Sequence, residues 1–175
     1  FEYDAIEVYL KSPCLDAYVS VNVSVAFKPS CSKVAISAPQ DNWIFNRAKG
    51  YATVTSNDIT TITENKLPIT FTDFNTDFAG FEKIELEYRN ASSANWTKFK
   101  TYYGTEELRD TASDTIGEVI YPDDSEFTFE WDVIGNQVPD GNYELRAISY
   151  CTSNVTNVSP IIQGVVNLNA PVLFG

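Results

Sequence analysis

The residue types that most often carry out catalysis are sparse in this 175-residue sequence. It contains no histidine, which removes the commonest general base, the commonest metal ligand and the usual pH switch. No Gly-x-Ser-x-Gly motif is present to hold a serine nucleophile. The three cysteines, Cys14, Cys31 and Cys151, lie far apart and lack the spacing of metal ligands. We therefore expect that the chain is not an enzyme.

Acidic side chains are the next candidates for chemistry. Asp73, Asp77 and the adjacent Asp123 and Asp124 offer oxygen ligands of the kind that calcium prefers. Their spacing matches no defined calcium loop, so calcium is conceivable but unsupported, and we expect no cofactor beyond covalent glycans. Two such carboxylates across a sugar cleft would form a glycosidase pair, but sequence alone cannot show their separation. A solvated acidic surface is the simpler interpretation.

Aromatic side chains suggest a third kind of site, a platform on which sugar rings stack. Exposed rings in a row would be needed, and residues adjacent in a strand face opposite ways. Trp131 lies between Phe129 and Val133 in an alternating run and is expected in the core. The aromatic residues considered for such a site are Trp43, Trp96, Trp131, Tyr102, Tyr103 and Tyr150.

Five Asn-x-Ser/Thr motifs make N-linked glycosylation an expectation. Pro160 follows the last of them and disfavours its use. Together with cysteines that can form a disulfide, these motifs predict an extracellular protein, either secreted or on a cell surface. The predicted glycosylation sites are Asn22, Asn90, Asn95, Asn154 and Asn157.

The composition excludes several partners. The chain has 24 acidic and 12 basic residues, a net charge of −12, so it should repel nucleic acid and anionic membrane surfaces. We find no apolar run of 18 residues and expect no membrane insertion. The chain has no methionine, so we expect Phe1 to be a processed or chosen start.

The stretch Pro139–Cys151 is the clearest structural element. Pro139-Asp-Gly141 is a tight-turn signal, and the next residues alternate, with Tyr143, Leu145 and Ala147 on one face. A tyrosine at this position suits a tyrosine corner, in which its hydroxyl ties the strand to the backbone of the turn. We predict a half-buried antiparallel strand.

Similar alternation recurs along the chain at the spacing of an all-β sandwich. The segment Thr105–Asp114 is the only helical candidate. The other predicted strands are Cys31–Ser37, a polar hairpin at Tyr51–Thr55 and Ile59–Thr63, then Leu67–Phe71, Ile84–Tyr88, Trp96–Tyr103, Ile116–Tyr121, Phe127–Val133 and Ile162–Leu168.

The strand order suggests which cysteines pair. In a sandwich of alternating strands, the start of the first strand and the end of the penultimate one lie at the same pole. Cys31 and Cys151 occupy those two places, and we predict a disulfide between them. A Cys14–Cys151 bond with Cys31 free stays open as the alternative, and either pairing leaves one cysteine over.

From about residue 29 to 175, the chain resembles a fibronectin-III/immunoglobulin-like module found as repeats in very large secreted surface proteins. The resemblance implies an antiparallel β-sandwich with an architectural role, and it supplies no catalytic residues. The N-terminal arm and the presence of one unit instead of several depart from the pattern. The matching segments are Pro29–Cys31, Asn42–Asn46, Leu67–Phe71, Ile84–Arg89, Pro139–Ala147 and Ala170–Gly175.

Residues 1–27 form an extended arm ahead of the predicted sandwich domain, residues 28–175. Strict alternation in this arm predicts a strand with one apolar face, made of Val19, Val21, Val23, Val25 and Phe27. This strand either folds back as an edge of its own domain or adds to the sheet of a neighbouring copy, as in donor-strand complementation. The second reading predicts a structural glycoprotein that polymerises head to tail into a surface fibre. The alternative is an adhesive or carbohydrate-binding module of a larger surface protein.

Overall fold

The computed structural model describes residues 5–11, 18–24, 30–46, 50–55, 58–62, 66–109, 114 and 117–168. Within 5–11, 18–24, 50–55 and 58–62 it describes the backbone alone. These residues form an all-β structure with hardly any helix. In this part of the chain, no helix is long and apolar enough to cross a membrane.

The described residues contain fourteen strands, several of which follow the alternating runs of the sequence. The strands are β1 Ala5–Lys11, β2 Tyr18–Ser24, β3 Ala35–Ala38, β4 Trp43–Asn46, β5 Gly50–Thr55, β6 Asp58–Ile62, β7 Leu67–Thr72, β8 Phe81–Asn90, β9 Thr97–Tyr103, β10 Glu118–Val119, β11 Phe127–Trp131, β12 Gly141–Cys151, β13 Val155–Val158 and β14 Ile162–Asn167.

A large sheet has the strand order β10-β9-β8-β12-β14-β4-β5-β6, and β13 pairs with the C-terminal end of β12. Most neighbours are antiparallel, whereas β10 with β9 and β4 with β14 are parallel. The central strand β12 is the longest, with 11 residues, and it pairs with β8, β14 and β13. It is the strand that the sequence singled out at Pro139–Cys151.

A small sheet of order β11-β7-β3 packs on the large one. Aromatic rings from the two sheets meet in the core between them. Phe71 of β7 lies 4.8 Å from Tyr102 of β9, and Trp131 of β11 meets Trp43 of β4 edge to face at 6.3 Å, both measured between ring centroids. Contacts of this kind add to the burial of large apolar areas, so they hold the two layers together.

Two sequence-based predictions need correction. Thr105–Asp114 was expected to be helical, but its described residues form a turn after β9. The first sandwich strand was expected at Cys31–Ser37, whereas only Ala35–Ala38 pairs with β7, and a register shift interrupts that pairing. Strand β4 was not predicted, because its four residues, Trp43–Asn46, are too few to show a period.

The arm forms a two-stranded antiparallel hairpin, β1 with β2. Among the described strands, neither β1 nor β2 pairs with either sheet of the sandwich. Val25 and Phe27 of the predicted self-assembly strand lie outside the described residues. The register sets Ile6 opposite Val23, Val8 opposite Val21 and Leu10 opposite Val19.

Residues directly opposite in a strand pair lie on the same face. The register therefore gathers six aliphatic residues on one face of the hairpin. This aliphatic face is formed by Ile6, Val8, Leu10, Val19, Val21 and Val23.

Candidate functional site

Tyr143 fastens the start of β12 to the preceding turn. Its hydroxyl donates a hydrogen bond of 2.9 Å to the carbonyl of Pro139, four residues earlier. The ring is buried beside Trp131 and Tyr88. Burial raises the pKa of Tyr143, so the phenol stays protonated and able to donate. The geometry is the tyrosine corner that the turn and strand pattern predicted.

A disulfide joins Cys31, just before β3, to Cys151 at the end of β12, with 5.6 Å between their Cα atoms. This agrees with the pairing favoured from the strand order. Next to it, the hydroxyl of buried Ser149 donates to the carbonyl of Ser32. The disulfide and this hydrogen bond connect the segment before β3 of the small sheet to β12, the central strand of the large sheet. Cys14 lies outside the described residues.

The outer face of β8 and β12 carries a ladder of ion pairs around one tryptophan. Arg89 contacts Glu144 at 2.6 Å, and Arg146 contacts Glu87 at 2.7 Å. Both guanidinium groups lie over the ring of Trp96, at 4.6 and 4.0 Å from its centroid. Stacked arginines whose charges are already paired stabilise this surface of the sheet and leave little of the ring open to a ligand.

Glu85 lies at the centre of a second polar cluster on this face. Its carboxylate is 2.7 Å from Lys83 Nζ and 3.5 Å from Lys98 Nζ. Burial alone would raise the pKa of Glu85, but hydrogen bonds from Lys83 and Tyr150 outweigh burial and lower it. Burial, together with the hydrogen bond to Glu85, raises the pKa of Tyr150 to about 12. The cluster therefore holds an ionised carboxylate beside a protonated phenol at neutral pH.

The aromatic residues proposed as a sugar platform do not form one. Tyr102 and Tyr103 are only 1% and 9% exposed. Trp43 and Trp131 are buried in the core. Trp96 is covered by its arginines, and the ring of Tyr150 lies 4.8 Å from Lys83 Nζ.

The acidic candidates for calcium do not converge. Among the described residues, no three carboxylate or cysteine side chains are arranged to hold a metal ion. Asp124 instead accepts a hydrogen bond from the backbone amide of Tyr121 at 2.8 Å, which shapes the turn after β10. The amide of Asp77 donates to the side chain of Asn75 at 2.9 Å in another turn.

The predicted glycosylation sites differ in access. Asn95 and Asn154 are exposed, whereas Asn90 is half-buried and its carbonyl oxygen accepts from the amide and hydroxyl of Ser92. Asn157 is half-buried. Ser159, the serine of the same glycosylation motif, is buried, and its hydroxyl accepts a hydrogen bond of 3.0 Å from the amide of Ala147. Asn22 lies in β2 opposite Glu7 and away from the aliphatic face.

A cleft of about 480 Å³ opens between the ends of β8 and β9 in the large sheet and β11 in the small one. Phe99 of β9 and Phe129 of β11 meet across it with ring centroids 5.0 Å apart, and both are only half-buried. Tyr88 stacks on Phe99 at 4.3 Å. Sequence analysis missed this cleft, because Phe99 and Phe129 sit in alternating runs that read as ordinary core strands.

The two basic residues that line the cleft are paired with carboxylates outside its lining. Arg89 contacts Glu144 at 2.6 Å, and Lys98 contacts Glu85 at 3.5 Å. The remaining polar lining consists of amide and hydroxyl side chains, including Asn90, Asn95 and Asn136. A partly apolar groove with amide and hydroxyl groups along it favours an apolar or hydrogen-bonding occupant.

The two strands that border the cleft have unpaired edges. Among the described strands, β11 pairs only with β7. The short strand β10 covers Tyr102 and Tyr103 of β9 and leaves its first residues without a neighbour on that side. Unpaired backbone groups at a sheet edge are a template for the strand of another chain.

Comparison with known proteins assigns the chain to no family. No protein-family model matches the chain, and no curated protein matches it significantly. The functional conclusion therefore rests on the geometry above.

Proposed function

We propose that residues 28–175 form an immunoglobulin-like module of the fibronectin-III/immunoglobulin kind. Strands β7 and β11 correspond to the B and E strands of one layer, with β3 beside B as strand A. Strands β8, β12 and β14 are adjacent in the other layer, as C, F and G are, with β9 beside C. The tyrosine corner on β12 supports the same assignment.

We further propose that the protein is a structural, non-enzymatic protomer of an extracellular fibre, joined head to tail through its N-terminal arm. The aliphatic face of the β1–β2 hairpin carries this proposal. A two-stranded hairpin alone is marginally stable at best in water, so six aliphatic residues on one face need a covering surface. A neighbouring copy supplies that surface by β-augmentation, and repetition of a head-to-tail contact produces a filament.

The extracellular setting has separate support. The Cys31–Cys151 disulfide is compatible with an oxidising compartment, and the exposed Asn95 and Asn154 can carry glycans without disturbing the core. The absence of histidine from the whole sequence and the paired state of the described polar clusters favour a structural role over catalysis.

The test is self-association of the full chain compared with a Val21→Lys variant. Lysine at the centre of the aliphatic face should weaken assembly about tenfold or more, because its charge must be desolvated in the contact. Sedimentation velocity measures the assembly, and negative-stain microscopy shows whether the assemblies are filaments.

Ser20→Lys is the matched control, since it adds the same charge one residue away on the polar face of β2. This variant should assemble nearly as well as the unmodified chain. Equal loss in both variants would point to a general charge effect, and a strictly monomeric unmodified chain would refute the fibre proposal.

The cleft supports a second candidate function, carbohydrate binding. Its half-buried Phe99 and Phe129 can contact the apolar face of a sugar, and its asparagines can bind hydroxyl groups. A glycan array screened with the full chain tests this, with Lys98→Glu as the cleft variant and Lys33→Glu as an exposed control. Binding by the unmodified chain that Lys98→Glu alone abolishes would favour this function.

A further inference from the structure

Among the described strands, the free edge of β11 is less protected against strand addition than most other edges of the sandwich. Natural edges are protected by lysine, proline, bulges or short length. Strand β3 has a register shift and is followed by Pro39, and β10 has two residues. The open part of β9 carries Lys98 and Lys100. Strand β11, Phe-Thr-Phe-Glu-Trp, has no lysine or proline, and its pairing with β7 is regular over all five residues.

The β1–β2 hairpin has properties complementary to this edge. Strand β2 has seven residues and can span the five of β11. The aliphatic face of the hairpin matches the half-buried rings of Phe99 and Phe129 in the cleft, and the acidic Glu7 of β1 lies opposite Asn22 on the other face. A ribbon beside β11 that continues the small sheet turns one face toward the large sheet, on the side where Phe99 of β9 and Phe129 of β11 are half-exposed.

We propose that β2 of one copy adds to the free edge of β11 in the next copy, with the aliphatic face of the hairpin covering the cleft at Phe99 and Phe129. This inference rests on the proposed function and names the acceptor surface for the arm. The contact joins two different surfaces of the same chain, so each copy still offers an unused hairpin at one end and an unused β11 edge at the other. Growth therefore does not close on a dimer.

A first experiment alters the acceptor in the full chain. Phe129→Lys places a charge that points into the cleft, a device that natural edges use to refuse strands. It should weaken self-association about tenfold, measured by sedimentation velocity. Ser37→Lys is the matched control, because it adds the same charge at an exposed position on β3, the opposite edge of the small sheet, and should change assembly little. Circular dichroism confirms that both variants are folded.

A second experiment does not depend on destabilising the cleft. In a Cys14→Ser background, Ser20→Cys or Asn22→Cys on β2 is combined with Thr128→Cys on β11, and mild oxidation follows. Residues opposite each other in paired strands are close enough for a disulfide, and two positions on β2 allow for register. We expect a ladder of covalent oligomers on non-reducing gels. Thr60→Cys on β6 and Ser37→Cys on β3 replace Thr128→Cys to probe the other edges.

The outcomes separate this inference from the proposed function. The fibre and the β11 acceptor are both supported if Val21→Lys and Phe129→Lys each weaken assembly and covalent ladders form only when the acceptor cysteine is at position 128. If Val21→Lys weakens assembly but ladders form with the cysteine at position 60 or 37, the β11 acceptor is overturned and the fibre proposal stands. An unmodified chain that stays monomeric overturns both. Glycan binding that is lost in Phe129→Lys, with assembly unchanged, assigns the cleft to carbohydrate and overturns the acceptor.

Discussion

Glu85 shows how single residues on the sheet surface contribute to stability. Its lowered pKa results from hydrogen bonds with Lys83 and Tyr150, which together outweigh the opposing effect of burial. A carboxyl whose pKa falls on folding stabilises the folded state only while it is ionised. The contribution is complete above the ordinary pKa of 4.5 and disappears as pH falls through the lowered folded-state value.

We predict that Glu85→Gln flattens the acid side of the stability profile. The unmodified protein should lose unfolding free energy as pH falls below about 4.5, and the variant should lose less of it, because it has no carboxylate to protonate here. Urea denaturation at a series of pH values measures this slope. Glu130→Gln removes an exposed carboxylate from β11 as the control. Equal slopes for Glu85→Gln and the unmodified protein would contradict the prediction.

Between elements, the parallel pair β4 and β14 depends on a glycine. Gly164 of β14 lies opposite Trp43, and the indole ring occupies the space where a β-carbon at position 164 would stand. Trp43 is 1% exposed and packs on Trp131, so the ring has no room to move aside. The ring of Trp43 can lie this close to the backbone of β14 because glycine has no side chain at position 164.

We predict that Gly164→Ala destabilises the protein by about 1–3 kcal/mol, the usual cost of overpacking a core. Tryptophan fluorescence during urea denaturation reports the change. Gly135→Ala is the control, since the nearest atoms to its added methyl group belong to the carboxylate of Asp132, which can turn aside at the cost of one exposed hydrogen bond with the Gly135 amide. A loss in Gly164→Ala no larger than in Gly135→Ala would show that the core accommodates the methyl group.

For the whole molecule, the disulfide is the longest covalent constraint described. Cys31 and Cys151 are 120 residues apart in sequence. On the chain-entropy model, closing a loop of this size stabilises the folded state by about 4–5 kcal/mol. We predict that the double variant Cys31→Ser with Cys151→Ser loses about this much unfolding free energy.

Denaturation of the double variant beside Cys14→Ser tests this prediction. Cys14→Ser keeps the Cys31–Cys151 bond and should leave stability nearly unchanged. A double variant that is as stable as Cys14→Ser would mean that the loop is already restricted in the unfolded chain. Reduction of the unmodified protein should reproduce the loss seen in the double variant.

The sequence predicted elements whose evidence is local. Alternation identified β7, β8, β11, β12 and β14, and the turn at Pro139 with Tyr143 two residues into its strand identified the corner. Short or irregular pieces escaped, as with β4 and the turn that replaced the predicted helix after β9. A four-residue strand shows no period, and its partners in β14 lie 121 residues further along the chain, as with Trp43 and Gly164.

The sequence by itself determined the all-β character, the apolar face of β2 and the absence of histidine chemistry, because each follows from residue type and local order. The tertiary structure alone decided that Ile6, Val8 and Leu10 join that face, and that Tyr102 and Tyr103 are buried while Phe99 and Phe129 stay half-exposed. It also decided that β11, among the described strands, is an edge beside the cleft at Phe99 and Phe129. Edges and clefts arise from pairing between distant segments, and the side-chain period of a strand is the same at an edge as in the centre of a sheet.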